Sequence, residues 1–227
     1  MSLSPDITGP SSPPAGPIRR PTRRSVLAPP RPSVVDAALA IARRWCAGHV
    51  IDGAPALAHA VRVAVLLGRH LPDAPPPLIA ATLLHDIPDY TGPDALAAEV
   101  GDRCGTATLV TLWLIHGEHI AMDQYRHDPA AATRRLTLLR PDIAATLAAD
   151  KVISLSYVLG GARHAPDVHA YWADRRAFLL LVPYFRDFLA ATAPHLPDGL
   201  ADQLGDLVRE AGRALVLAAH LPAHQPH

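Results

Sequence analysis

"PDIAATLAADKVISLSYVL", residues 141–159, is the stretch on which the reading of the whole chain turns. Proline stands at its first position, where a helix has no use for the missing amide, and the apolar residues behind it recur at three and four spacing. Ile143, Leu147, Asp150 and Ser154 therefore share one face of a helix, and that face should point inward. Asp150 is the anomaly on it. An ionised carboxylate in a core normally pairs, coordinates a metal or takes up a proton, because leaving it bare is costly. Lys151 or an arginine from another helix could neutralise it, and a metal ion could equally hold it.

Working outward, the same periodicity recurs along most of the chain with no convincing strict alternation, so the expected class is all-α. Ser33 is expected to cap a helix to about Ala47, Pro55 to precede one to about His70, and Pro77 to open one ending at Asp86. A short helix should follow Pro93, another should run from Thr106 to about His116, and Pro141 should separate two more. A long helix is expected from Val168 to about Ala191, bent at Pro183, and a last one from Asp198 to Ala219.

The remaining sequence bounds the classes of function. The chain has 227 residues with 49% hydrophobic content, suited to one domain with a substantial core. Lys+Arg and Asp+Glu both number 21, so no bulk charge favours nucleic acid or an anionic membrane as partner. Cys46 and Cys104 lack CxxC spacing, which argues against a cysteine zinc site and fits a reducing, cytoplasmic compartment. The run "AFLLLVPYF" (177–185) is far shorter than the roughly 20 residues of a membrane span. Residues 1–32, rich in proline, serine and arginine, read as a disordered head, 33–219 as the domain, and 220–227 as a frayed tail. "HGEH" at 116–119 is not HExxH and reads as a polar loop. No P-loop or G-x-G-x-x-G element is present.

Two more stretches place metal-ligating side chains on core-facing positions. In "LLHDIPDY" (83–90), His85 follows the face of Leu78 and Thr82, and Asp86 stands where the helix stops. In "ALAHAVRVAVLL" (56–67), His59 is in line with Val63 and Leu66 or Leu67. Taken alone, His59 would read as a satisfied core histidine and the His85-Asp86 pair as a solvated helix cap. Two imidazoles and two carboxylates on separate helices of one bundle make a mixed nitrogen and oxygen set that suits a divalent first-row metal such as Mn²⁺.

His59, His85-Asp86 and Asp150, in that order, resemble the pattern of the HD-domain metal-dependent phosphohydrolases. "ALAHAVRVAVLL", "AATLLHDIPDYTGPDALAAEVG" and "LAADKVISL" look like the three signature segments of the hydrolase domain of the RelA/SpoT family, whose motifs read "YxxHP", "AALLHDxxEDT" and "LADKLxNL". The resemblance covers residues 34 to 190. It implies His59, His85, Asp86 and Asp150 as ligands of Mn²⁺, with Asp86 also serving catalysis, and Arg43 and Arg44 as the basic pair near a nucleotide. It further implies hydrolysis of a nucleotide phosphate, (p)ppGpp cleaved at its 3′-diphosphate being the family's substrate. The family's catalytic Glu-Asp pair reads Asp89 and Tyr90 here. Ala56, Ala60 and Ser154 replace the tyrosine, proline and asparagine of the motifs. The metal shell is thus complete and the recognition shell altered. Asp89 is the expected proton carrier, with Pro88 turning it back toward the ion, and Arg43, Arg44, Lys151 and Ser154 are the expected substrate contacts. Two rivals stand beside this reading: a phosphatase for another nucleotide or phosphorylated metabolite, and a binding module without turnover.

Overall fold

The computed structural model describes residues 25–219. Its α-helices are α1 (Ser33–Trp45), α2 (Ala56–His70), α3 (Pro76–Leu83), α4 (Pro93–Cys104), α5 (Thr106–Asp123), α6 (Pro129–Leu136), α7 (Pro141–His164), α8 (Val168–Asp174), α9 (Arg176–Leu179), α10 (Val182–Thr192) and α11 (Asp198–Ala219). The fold is all-α, with one small hairpin of β1 (Val50–Ile51) and β2 (Ala54–Pro55). Proline in the first turn of α3, α4, α6, α7 and α10 starts each helix where an amide would go unbonded. Ser33 is the first residue of α1 rather than its cap, which is Pro32 and offers no side-chain hydrogen bond.

α7 forms the axis. It is buried on more than one face, from Ile143 through Leu159, and packs against α2, α11, α5 and α10. A helix apolar nearly all round belongs in the middle of a bundle. α3 lies against α1, α2 and α5, so its C-terminal end is brought to the flank of α7. α7 and Arg176–His195 are long and apolar enough to cross a membrane, but 67% of the α7 window is buried within the fold, which accounts for its composition.

Three expectations are corrected. α5 continues through the presumed polar loop to Asp123, because Glu118 is buried and accepts a hydrogen bond of 2.6 Å from Arg135, removing the cost of a charge inside the helix packing. The expected long helix from Val168 is three helices, broken at Arg175 and at Leu180–Leu181; Pro183 opens α10 rather than bending a continuous one. The domain begins before residue 33. Val26 and Leu27 pack on the core, and Val26 lies so close to Gly68 that a Cβ there would meet Val26 Cγ1 at 2.2 Å. The remainder of the expected head, 1–24, and the expected tail, 220–227, fall outside the described residues.

A chain starting at residue 33 should therefore be less stable than one starting at residue 25. The difference is about 1 to 3 kcal/mol in chemical denaturation, the burial of one or two aliphatic side chains. Equal midpoints for the two truncations would show that the Val26–Gly68 contact contributes nothing.

Candidate metal centre

Three buried or nearly buried side chains converge where α2, the end of α3 and α7 meet. One donor atom each from His59, His85 and Asp86 lies within 4.8 Å of the others. Asp150 joins them: its Oδ1 is 3.0 Å from His59 Nε2 and 3.5 Å from His85 Nε2. Asp86 Oδ2 is 3.2 Å from His85 Nε2 and 4.0 Å from His59 Nε2. The four residues expected to ligate a metal are thus brought together.

Local structure fixes the orientation of the key imidazole. α3 ends at Leu83, so the Thr82 carbonyl is free to accept from His85 Nδ1 at 2.7 Å. With its proton committed there, neutral His85 turns an unprotonated Nε2 toward Asp86 Oδ2. Both atoms are buried and neither has a hydrogen-bond partner. Two lone-pair donors facing each other at this separation need a proton or a cation between them. Burial alone would lower the His85 pKa, yet the nearby Asp86 and Asp150 carboxylates and the Thr82 carbonyl outweigh it and push it up to about 9. Burial likewise acts to raise Asp150, but the imidazoles of His119, His59 and His85 set around it hold it well below the usual carboxylate range. The pocket is built to keep positive charge among these atoms, and the donor set fits a divalent first-row metal.

The alternative partner for Asp150 is not found: among the described residues no lysine or arginine forms an ion pair with it. Lys151 is buried and points elsewhere, its Nζ 4.8 Å from the Phe188 ring centre and 5.4 Å from that of Tyr184, with no hydrogen-bond partner. Burial pushes Lys151 down, opposed by Asp150 and Glu118.

A cavity of about 260 Å³ opens beside the cluster, and His59, Asp86, Asp89, Asp150, Lys151 and Ser154 all line it. Asp89 stands on the 3₁₀ turn Ile87–Asp89, with Pro88 in that turn, and its Oδ1 is 3.8 Å from His116 Nδ1. Arg43 and Arg44 do not reach the cavity. Both are exposed, and Arg44 pairs with Glu99, which also accepts from Trp45 Nε1 at 2.9 Å. The basic pair expected near a nucleotide thus serves, through Arg44, to tie α1 to α4.

Sequence reasoning missed three contributors. His119 lines the cavity and sets Nε2 3.5 Å from Asp150 Oδ2, while His116 reaches Asp89. Both had been assigned to a loop, although helical spacing through "HGEH" puts positions three apart on one face. Asp52 lines the cavity from the hairpin turn, where Asp52 and Gly53 have φ of 53° and 94°. Asp-Gly between two short extended runs is the signature of a two-residue hairpin and was there to be read. Tyr157 of α7 clamps this turn by donating to the Gly53 carbonyl at 3.0 Å. Burial raises the Asp52 pKa, as do Asp150 and Asp86, while Ser154 and His59 oppose the rise. Tyr90 stacks on His49 with ring centres 3.9 Å apart at the cavity wall. No family model, no curated protein and no solved structure matches the chain.

Proposed function

We propose that the protein is a metal-dependent phosphohydrolase of the HD type, acting in the cytoplasm on a phosphorylated nucleotide or metabolite. One observation carries this reading: His85 Nε2 and Asp86 Oδ2, buried and without hydrogen-bond partners, converge with His59 and Asp150 beside a cavity that His59, Asp86 and Asp150 line. His59, His85, Asp86 and Asp150 would hold the ion, with Mn²⁺ the favoured identity from the mixed imidazole and carboxylate set. A divalent ion there supplies acidity to water and screens the charge of a phosphoryl group. The chain's own residues do the rest. Thr82 fixes the tautomer of His85, and Asp150 and Asp86 supply the negative charge that retains the ion. Asp89, at the cavity and beside His116, accepts a proton from attacking water, and the stem of Lys151 lines the wall while its Nζ lies over the Phe188 and Tyr184 rings.

The resemblance pointed to a guanosine 3′-diphosphate substrate held by Arg43 and Arg44. Their placement outside the cavity favours the second reading, a different phosphorylated compound, with Ser154 as the retained wall contact. The test is product release from a panel of phosphorylated nucleotides and metabolites by Mn²⁺-loaded protein. Chelation should abolish turnover, and Mn²⁺ should restore it. Metal bound stoichiometrically with no phosphate released from any member would leave a binding module and overturn the enzymatic reading.

A further inference from the structure

Five carboxylates line the cavity: Asp52, Asp86, Asp89, Asp123 and Asp150. Against them the lining offers, among the described residues, one basic side chain, Lys151, whose charge burial disfavours, and no arginine. Asp52 and Asp123 belong neither to the metal cluster nor to any ion pair among the described residues. One divalent ion set against five carboxylates leaves the cavity with two negative charges even where Lys151 keeps its proton. The rest of the lining includes the apolar side chains of Ile51, Met122, Phe178, Leu181 and Phe185. Its volume, about 260 Å³, lies just under the roughly 300–1,000 Å³ of sites that enclose drug-sized ligands.

We infer that the cavity selects a phosphomonoester of low charge with a partly apolar organic portion, over a nucleotide carrying several phosphates, and that Asp52 and Asp123 set this selection. The inference rests on the phosphohydrolase reading for its reacting group. One phosphoryl dianion meets the ion. Each further phosphate would meet Asp52 or Asp123, with no cation among the described lining residues left to receive it. What these two carboxylates can accept instead are hydroxyl or amino donors on the organic portion. Asp52 cannot swing away, because its turn is clamped through Gly53 by Tyr157. Asp123, the last residue of α5, also lines the cavity.

The test compares guanosine 5′-monophosphate with guanosine 3′,5′-bis(diphosphate) on the full chain loaded with stoichiometric Mn²⁺. Dissociation constants come from calorimetry and kcat/KM from phosphate release, at ionic strengths of about 0.02 and 0.5 M. At low salt the monophosphate should bind about tenfold more tightly, since charge repulsion acts over roughly 20 to 30 Å there. The gap should narrow at high salt and in Asp52→Asn with Asp123→Asn. Asparagine tolerates the left-handed backbone of position 52, so this variant keeps the turn. Equal or tighter binding of the bis(diphosphate) at low salt overturns the inference. Tighter monophosphate binding with no turnover of either compound supports the selection and overturns the phosphohydrolase reading. No binding of either compound overturns both.

Discussion

Asp150→Asn should remove metal binding and hydrolysis together, leaving only background release of phosphate. Asp150 sits among three imidazoles, its carboxylate lying 3.0 Å from His59, 3.5 Å from His85 and 3.5 Å from His119. An amide carries no negative charge and is a poor ligand for a hard divalent ion, and its NH₂ group would also confront imidazole nitrogens. The fold should survive, because α7 is held by apolar contacts from Ile143 to Leu159 that the substitution does not touch. Stabilisation by bound metal should vanish with the site. Mn²⁺ at about 100 times its Kd should raise wild-type stability by about 2.7 kcal/mol, and the variant should show no such rise. The measurement is the melting temperature with and without Mn²⁺, beside phosphate release and helical circular dichroism. A variant that still melts higher in Mn²⁺ and still turns over would exclude Asp150 from the centre.

How much of this was legible depends on how local the signal is. The all-α class followed from apolar spacing alone, and His59, His85 and Asp150 were found because each is a polar residue on a core-facing stripe, a conflict that one helix suffices to show. The ends of elements were harder. α5 was cut at His116 because "HGEH" is polar, and what keeps it helical is a partner from α6: Arg135 donates to Glu118 at 2.6 Å and to the Gly117 carbonyl at 3.1 Å. No periodicity within α5 could reveal that pairing. The helix expected from Val168 failed for a related reason. "WADRRAFLLLVPYF" has helical composition throughout, and the breaks that turn α9 and α10 toward the cavity are set by packing around the axis. Arg43 and Arg44 were assigned by resemblance of a short basic pair. An exposed arginine takes the nearest carboxylate, and for Arg44 that is Glu99 of α4.

Asp89→Asn should slow hydrolysis by about 10² to 10⁴ while leaving metal occupancy as it was, the usual contribution of a positioned general acid or base. Asp89 is well placed for proton work and poorly placed for ligation. Its side chain is 56% exposed, on the cavity wall, and it is not among the residues whose donor atoms cluster within 4.8 Å. Behind it His116 Nδ1 is buried, lacks a hydrogen-bond partner and stands 3.8 Å from Asp89 Oδ1. A small rotation of Asp89 closes that gap, and the imidazole can then take over a proton that the carboxylate collects from water. The two side chains should act as a unit, so His116→Ala should lose part of the same factor, and the double variant should be little worse than Asp89→Asn alone. Asp89→Glu should recover more activity than Asp89→Asn, because the longer arm keeps the charge. Multiplying losses in the double variant would show that Asp89 and His116 act separately, and an unchanged kcat in Asp89→Asn would leave the proton with another group. Loss of metal together with rate would place Asp89 in the cation's own shell, against the geometry that holds His59, His85, Asp86 and Asp150 together without it.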